Sequence, residues 1–370
     1  MKVLALSSYP LEAASTRYRI VQYIEPLAEQ GIYLTVQPFL TKSEFSGLYK
    51  SGRFVKKAAQ MMAATGKRLR DSLDARKYDA VFVQREAMLF GPPLFEWLSK
   101  TVGKCPLILD LDDATYVRYV SPTYGKLGSA LKFFGKTDKL IDWSETVVCG
   151  NRYIAEYVEK KGARSVIVPT VVDTEKFHPV KKKEDQPPVL GWIGTHSTFP
   201  FLENLFPVLE KLAREYDFVL KIVGAGKSEI NIKGVKVENL EWSLDREIHD
   251  FQSLDIGLYP LLSTALVSEE LILGKSGFKS IQYLSVGIPF VVTPLGITKE
   301  IGIEGESHFA AENHEQWYQR LAELLASEHL RRQMGMRGRT YALEHFTVEQ
   351  QCRVIASTLT GAVENFGQGK

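Results

Sequence analysis

Asp110-Leu-Asp112-Asp113 sets three carboxylates in four residues, directly after the apolar run Leu107-Ile-Leu. Side chains at the end of a parallel strand face the ligand crevice. Acids there can hold a divalent cation in a DxD arrangement, position a sugar hydroxyl, or simply cap the next loop. Gly191-Trp-Ile-Gly194-Thr195-His196-Ser197 follows a second apolar run and opens a helix near Pro200. Glycines let backbone N–H groups approach a phosphate, and a helix start favours its charge. Gly224-Ala-Gly226-Lys-Ser-Glu229 follows a third run. Neither turn has the GxGxxG spacing of a dinucleotide fingerprint, and each also reads as a plain tight turn.

Gly274-Lys275-Ser276 resembles part of a Walker A loop. That loop needs a glycine at position 269, where Glu269 stands, so a P-loop is excluded. Lys275 and Lys279 still bring two cations and the pliant Ser276-Gly277 pair to the start of a helix from Phe278, a credible diphosphate cradle. The competing reading is a capped helix with solvated lysines. Arg17 and Arg19 after the first strand suit bidentate phosphate recognition, and Gln84-Arg85-Glu86 ends another strand. None of the seven histidines pairs with Ser or Cys in a nucleophile pattern, and no GxSxG occurs. His196 lies in a ligand-side turn, whereas His178 beside Pro179 reads as linker.

Positioning these groups takes two sheets. Val3–Leu6, Ile32–Val36, Ala80–Gln84, Leu107–Asp110, Thr146–Cys149 and Ser165–Pro169 read as strands separated by helical patterns, the first helix running from about Arg17 to Gln30 and stopped by Gly31. Residues 179–188, charged and flanked by prolines, read as a linker. The pattern restarts with Val189–Gly194, Phe218–Gly224, Asp255–Tyr259 and Pro289–Val292, and the last ~50 residues are helical, with a boundary at His345-Phe346-Thr347. The expected division is a Rossmann-like domain over 1–178, joined by a returning helix over 346–370, and a second over 189–345.

Composition agrees. The chain has 370 residues, 45% hydrophobic and 24% charged, with a net charge of +2. Disorder is excluded, and the near-neutral charge argues against a dedicated nucleic-acid binder. Cys105, Cys149 and Cys352 are widely spaced, which fits neither a disulfide framework nor a zinc site and suits a reducing cytoplasm. Residues 41–77 break the balance, with ten Lys/Arg against Glu44, Asp71 and Asp74. Leu48, Val55, Ala59, Met62, Leu69 and Leu73 recur there at near-helical spacing. Such a helix can lie on an anionic membrane, or show a solvated basic face above an ordinary packed stripe.

Asp255-Ile-Gly-Leu-Tyr-Pro260 and Lys275-Ser-Gly-Phe-Lys-Ser-Ile-Gln-Tyr-Leu-Ser-Val-Gly-Ile-Pro289-Phe-Val-Val resemble the donor-binding core of the retaining group 1 glycosyltransferases, glycosyltransferase family 4. Ala14-Ser-Thr-Arg17-Tyr-Arg19, Val148-Cys-Gly-Asn151, Val168-Pro-Thr-Val-Val-Asp173 and the tail from Arg337 to Thr347 carry the same likeness over nearly the whole chain. The resemblance implies an α/β GT-B fold, two Rossmann-like domains with parallel sheets facing across a cleft. It implies sugar transfer from a nucleotide-diphosphate donor to a saccharide or lipid-linked acceptor with retention, in polysaccharide or glycolipid assembly, without a metal or other cofactor. The family's two glutamates, eight residues apart, fall on Gly274 and Gln282. Gln282 can still bond ribose hydroxyls, and the sugar contact passes to the backbone of Ser276, Gly277 and Phe278. The family's Arg and Lys after the first strand of the second domain are replaced around Thr195 and His196, so Lys275 or Lys279 supplies the charge. Asp112 stands where many relatives have a cleft histidine.

The expected catalytic set is therefore Asp112, Lys275 and Lys279. The expected donor-binding set is Gly194, Thr195, His196, Gly224, Trp242, Ser276, Gly277, Phe278, Gln282 and Arg17. The expected place of work is the cytoplasm, with peripheral contact between 41–77 and the inner face of a membrane. Rival readings are a nucleotide-sugar 2-epimerase of the same fold, a metal-dependent GT-A transferase using Asp110 and Asp112, and a non-catalytic scaffold.

Overall fold

The computed structural model describes all residues except 49–53, 120–124, 183–185, 263–266 and 369–370. Two compact units emerge. The first comprises 1–170, 274–276 and 348–370, and the second 171–273 and 277–347.

The first unit is built on six parallel strands: β1 (Lys2–Ser7), β2 (Tyr33–Pro38), β3 (Ala80–Gln84), β4 (Leu107–Leu111), β5 (Thr146–Cys149) and β6 (Ser165–Ile167). Their spatial order is β2-β1-β3-β4-β5-β6. Val3 lies opposite both Leu34 and Ala80, and Val83 opposite Leu109. The central strands are apolar on both faces because helices cover both. Leu4, Leu6, Val81, Val83, Leu107 and Leu109 form the core with Leu140, Ile141 and Ile154 from the helices. The order reverses direction between β1 and β3, and ligands bind beyond the strand ends at such a switch point.

The second unit repeats the design. Its strands are β7 (Val189–Ile193), β8 (Val219–Val223), β9 (Lys236–Leu240), β10 (Ile256–Tyr259), β11 (Phe290–Val292) and β12 (Phe309–Ala310), ordered β12-β11-β10-β7-β8-β9. Every pairing is parallel, and the switch lies between β7 and β10. Trp192, Leu202, Leu209, Leu220, Ile222 and Leu321 are among its buried core. β9 and β12 escape sequence patterning. β9 alternates charged and apolar residues as an exposed edge strand, and β12 has only two residues.

Two boundaries move. Residues 171–178 belong to the second unit, not the first. Val171, Val172 and Phe177 are buried, Phe177 packs on Phe251, and Arg339 donates to the carbonyls of Thr174 and Phe177 at 2.9 and 2.7 Å. The expected helix over 17–30 is broken into Ala14–Arg19, a 3-10 turn at Val21–Tyr23 and Ile24–Glu29. Pro26 has no N–H and clashes with the preceding turn, so a fresh helix starts at Ile24 and places Pro26 in its first turn. The final helix, Val348–Gln368, does join the first unit, where Cys352 accepts a hydrogen bond from Gln30.

The packed-stripe reading of 41–77 is corrected. The helix Phe54–Leu73 turns Val55, Ala59, Met62, Leu69 and Leu73 to solvent and packs inward through Ala64, Arg68, Asp71 and Ser72. Lys50, Arg53 and the side chain of Leu48 lie outside the described residues.

Candidate functional site

The first unit gathers its chemistry at the carboxyl ends of β1, β3 and β4. Asp110, the penultimate residue of β4, is buried and faces Arg19. Arg19 Nε donates to Oδ2 at 3.1 Å, and the second guanidinium nitrogen closes a bidentate pair. Arg19 Nη1 also donates to the Val168 carbonyl at 2.6 Å. Of the two arginines after β1, Arg19 is therefore a structural clamp. Arg17 stays half-buried, with Nε donating to the Glu12 carbonyl at 3.1 Å and its guanidinium over the Tyr18 ring.

Arg85 is the residue that sequence reasoning undervalued. Its Nε and Nη2 donate to Asp112 at 2.5 and 2.7 Å, and Nη2 donates to Asp113 at 2.6 Å. Its φ is +63°, in the left-handed region that L-residues avoid. Glu86 N–H returns to the Gln84 carbonyl at 2.7 Å, which makes Arg85 the centre of a strained three-residue turn. Neighbours hold the turn in place. Ser8 Oγ donates to the Glu86 carbonyl at 2.8 Å, and the Glu86 carboxylate pairs with buried Lys136 at 2.6 Å. A strand-end arginine with an acidic run at the end of the next strand was the available signal, but the strain has no sequence signature.

Burial raises the Asp112 carboxyl, and the charge and hydrogen bonds of Arg85 outweigh it, so Asp112 is held below the ordinary carboxylate range. With both oxygens engaged and ionised, Asp112 suits orienting a hydroxyl better than passing a proton. Asp110 and Asp112 are each matched by a guanidinium, so a cation on the pair would have to displace one.

Two glycines fix this region. A Cβ at Gly150 would lie 2.9 Å from the Asp112 carbonyl oxygen. A Cβ at Gly274 would fall on the Ala114 methyl. The 274–276 segment is also tied by Asn151, whose Nδ2 donates to the Lys275 carbonyl at 2.8 Å while its Oδ1 caps the helix Arg152–Lys160. Lys275 is half-buried, and its charge acts on Asp113. The absence of a glutamate at 274 thus has a packing cause.

The second unit gathers its candidates at the carboxyl ends of β7, β8 and β9, three neighbours in the sheet. Gly224 sits at φ +82°, and a Cβ there would overlap the Gly194 carbonyl oxygen. At Gly226, φ +69°, a Cβ would come 3.0 Å from the His196 Cβ. Trp242, half exposed after β9, brings its Cβ to 3.5 Å from the same notional Cβ of Gly224. Gly194, His196, Gly224 and the Cβ of Trp242 therefore meet as one largely backbone floor, with the Trp242 side chain half exposed at its margin. Thr195 stands beside it, its hydroxyl bonded to those of Ser197 and Thr198 at 2.9 and 3.4 Å.

Further along the same edge, Gly277 at φ +65° precedes the helix Phe278–Ser285, packed on Ile297 and Ile301. Phe278 and Lys279 are half-buried in its first turn, and Ser276 just ahead of it in the other unit is half-buried as well. Gln282 is buried one turn on. Ser280 was missed by sequence reasoning. Its hydroxyl is buried in the first turn and has no hydrogen-bond partner among the described residues. A serine in a helix is unremarkable in sequence, and only the unsatisfied hydroxyl singles it out.

No protein-family profile and no curated protein matches the chain. Solved structures do. A glycosyltransferase from Rickettsia africae superposes with a TM-score of 0.70 at 12% identity, covering 98% of both chains. HepE of Anabaena, solved with UDP and glucose, gives 0.68 at 13% identity over 98% of this chain and 100% of that one. Sucrose-phosphate synthase from Thermosynechococcus elongatus gives 0.63 at 12% identity over 98% and 99%. The chain has the two-domain α/β architecture of GT-B glycosyltransferases.

Proposed function

We propose that the chain is a glycosyltransferase that moves a sugar from a nucleoside-diphosphate donor to an acceptor hydroxyl with retention of anomeric configuration. The observation that carries the reading is the glycine floor formed by Gly194 and Gly224 beside Trp242, set on a fold shared with transferases over nearly the full chain. A backbone floor admits a flat nucleoside closely, and an indole offers it a stacking face.

In this reading the acceptor oxygen bonds to C1 on the face from which the nucleoside diphosphate departs. The C1–O bond to the diphosphate breaks with its electron pair, and the acceptor proton passes to the leaving phosphate. Lys275, Lys279 and the first-turn amides and hydroxyl of the helix Phe278–Ser285 balance the charge that builds there. Asp112, held ionised by Arg85, orients a sugar or acceptor hydroxyl. The acceptor class is a saccharide or lipid-linked saccharide, as in polysaccharide or glycolipid assembly, and no metal is required. Three free, buried cysteines accord with a reducing cytoplasm as the place of work.

A thermal-shift screen against UDP-, GDP-, ADP- and dTDP-sugars tests the binding. A donor at 100 times its dissociation constant adds about 2.7 kcal/mol of stability. NMR of the products with the binding donor separates transfer from 2-epimerisation, and transfer that survives EDTA separates it from metal-dependent chemistry. If no nucleotide sugar shifts the melt, the scaffold reading stands instead. Unchanged donor affinity in the Lys275→Ala/Lys279→Ala double variant removes the cradle assignment.

A further inference from the structure

The helix Phe54–Leu73 is amphipathic in the wrong sense for a surface helix. Val55, Met62, Leu69 and Leu73 stand at i, i+7, i+14 and i+18, one stripe down one side. They are 85, 70, 45 and 45% exposed. The opposite side, facing the unit, carries buried Arg68, Asp71 and Ser72 around Ala64. Arg68 anchors it, donating from Nη2 to the Ser7 carbonyl at 2.8 Å, with Asp71 3.8 Å from Nη1. Arg68 is so enclosed that burial pushes its guanidinium down to about 10. A helix that buries polar groups and shows a continuous aliphatic stripe marks an interaction surface.

The neighbouring helix extends that surface. Leu94–Gly103 packs beside Phe54–Leu73 and exposes Leu94 and Trp97, 54 and 48% accessible and three residues apart on one face. Exposed cations flank the aliphatic residues: Lys56 and Arg70 on the long helix and Arg76 in the turn after it, while Lys67 and Lys77 are engaged by Asp71 and Asp74. The acids on these elements are drawn inward or spent on neighbours. Asp71 bonds Lys67 at 3.2 Å, Asp74 pairs with Lys77 at 2.7 Å, and buried Glu96 accepts from the Ala87 N–H.

We infer that this face of the first unit docks onto the surface of an anionic lipid bilayer, with the Val55–Leu73 stripe and Trp97 entering the headgroup boundary and the flanking cations meeting lipid phosphates. Charge complementarity selects the occupant. A protein partner would need an acidic counterface of matching shape, whereas an anionic membrane supplies diffuse negative charge above a hydrocarbon layer. An aliphatic stripe edged by Lys and Arg, with an indole at the margin, suits those layers. No helix of the described residues is long and apolar enough to cross a membrane. The inference stands independently of the transfer chemistry.

Flotation of the full chain with vesicles of phosphatidylcholine alone, or mixed with phosphatidylglycerol, tests it. Binding is expected to the mixed vesicles only, and to weaken with salt. Lys56→Gln/Arg70→Gln/Arg76→Gln removes three cations at about fivefold each, so partitioning falls roughly a hundredfold. Met62→Glu/Leu69→Glu abolishes it while leaving the melting temperature unchanged, because both positions face solvent. Tryptophan emission shifts to the blue on binding in the parent chain and does not in Trp97→Phe. Failure to bind mixed vesicles overturns the inference, as does binding that neither multiple variant weakens. A dimer in sedimentation that Met62→Glu/Leu69→Glu dissolves, without vesicle binding by the parent, assigns the face to a second copy instead.

Discussion

Arg85 grips both oxygens of Asp112, at 2.5 and 2.7 Å, from a backbone conformation that costs free energy, φ +63°. A non-glycine residue in this region persists only where its surroundings over-determine it, and such strain gathers at functional sites. Here the surroundings are two aspartates on the guanidinium, Ser8 on the next carbonyl, and Lys136 on the next carboxylate. The turn places a fixed positive charge at the end of β3, and Asp112 is ionised because of it.

Two substitutions at this residue separate strain from clamp. Arg85→Ala removes the guanidinium and keeps the disfavoured φ. It leaves Asp112 buried without its partner, a loss of about 3 kcal/mol, the lower end for broken buried pairs because Arg85 is partly exposed. Arg85→Gly loses the same clamp but relieves the backbone and should be more stable than Arg85→Ala by about 1 kcal/mol. Urea melts compare them. Equal stabilities would mean that the turn carries no strain.

The same pair sets an acid limit. Asp112 has a folded-state value below its unfolded one, so its contribution is present above about pH 3.9 and disappears as pH falls through the folded value. Arg85→Ala removes that contribution, so the variant should lose less stability than the parent as pH falls below about 3.9. Melting temperatures across that range decide it.

His308 dominates a higher window. It is buried and stacked on Phe290 at 5.0 Å between ring centres, with Nδ1 3.2 Å from Ser307 Oγ. Burial lowers it from 6.5 to about 4. The unfolded chain binds a proton in this interval and the folded chain does not, so stability rises with pH between the two values. The full effect is up to about 3 kcal/mol, lost as pH falls from about 6.5 to 4. His308→Gln should flatten that slope in the second unit's unfolding, read by pH-dependent melts, and an unchanged slope would place the titrating group elsewhere.

The sheets were legible because a parallel strand covered on both faces is an uninterrupted apolar run, as in Ala80–Val83 or Phe290–Val292. β9, with Lys236 and Glu238 facing water, was not, because an edge strand need not be apolar. Gly194 and Gly224 were legible as residues that follow strands, and Lys275 as a cation just ahead of a helix. Arg85 was not legible as a clamp, since its φ and its partners belong to tertiary structure. The stripe of the helix Phe54–Leu73 was legible in its period but not in its direction. Apolar spacing says which residues share a face, and only packing, here through Arg68, says which face turns inward.

Gly274 shows how packing removed a residue type that the resemblance led one to expect. A Cβ there would overlap the Ala114 methyl. Gly274→Ala therefore forces either loop apart and should cost about 1–3 kcal/mol, the range for overpacking. Ala114→Gly in the same chain removes the methyl in conflict and should recover part of the loss, since backbone atoms of residue 114 still stand 3.1 and 3.2 Å from the added carbon. A double-variant cycle on melting free energies measures the coupling. Additive effects would show that the two residues do not meet.

The glycine floor of the second unit yields the sharpest test of the donor site, because a matched control exists in the same domain. Gly224→Ala suffers twice: a side chain at φ +82° and a clash with the Gly194 carbonyl. Gly234 also has positive φ, +78°, but a Cβ there meets only the Ala213 methyl at 3.7 Å, an ordinary contact, and it precedes β9 at the opposite end of the sheet from Gly224. Gly234→Ala thus carries the backbone cost of about 1 kcal/mol without disturbing any strand-end turn. Gly224→Ala should cost about 1 kcal/mol more than that and should weaken nucleotide-sugar binding at least tenfold, because the turns that approach the ligand are pushed apart. Gly234→Ala should leave the dissociation constant unchanged. If both variants bind the donor as the parent does while losing stability as expected, the glycines serve the turn alone and the nucleotide lies elsewhere.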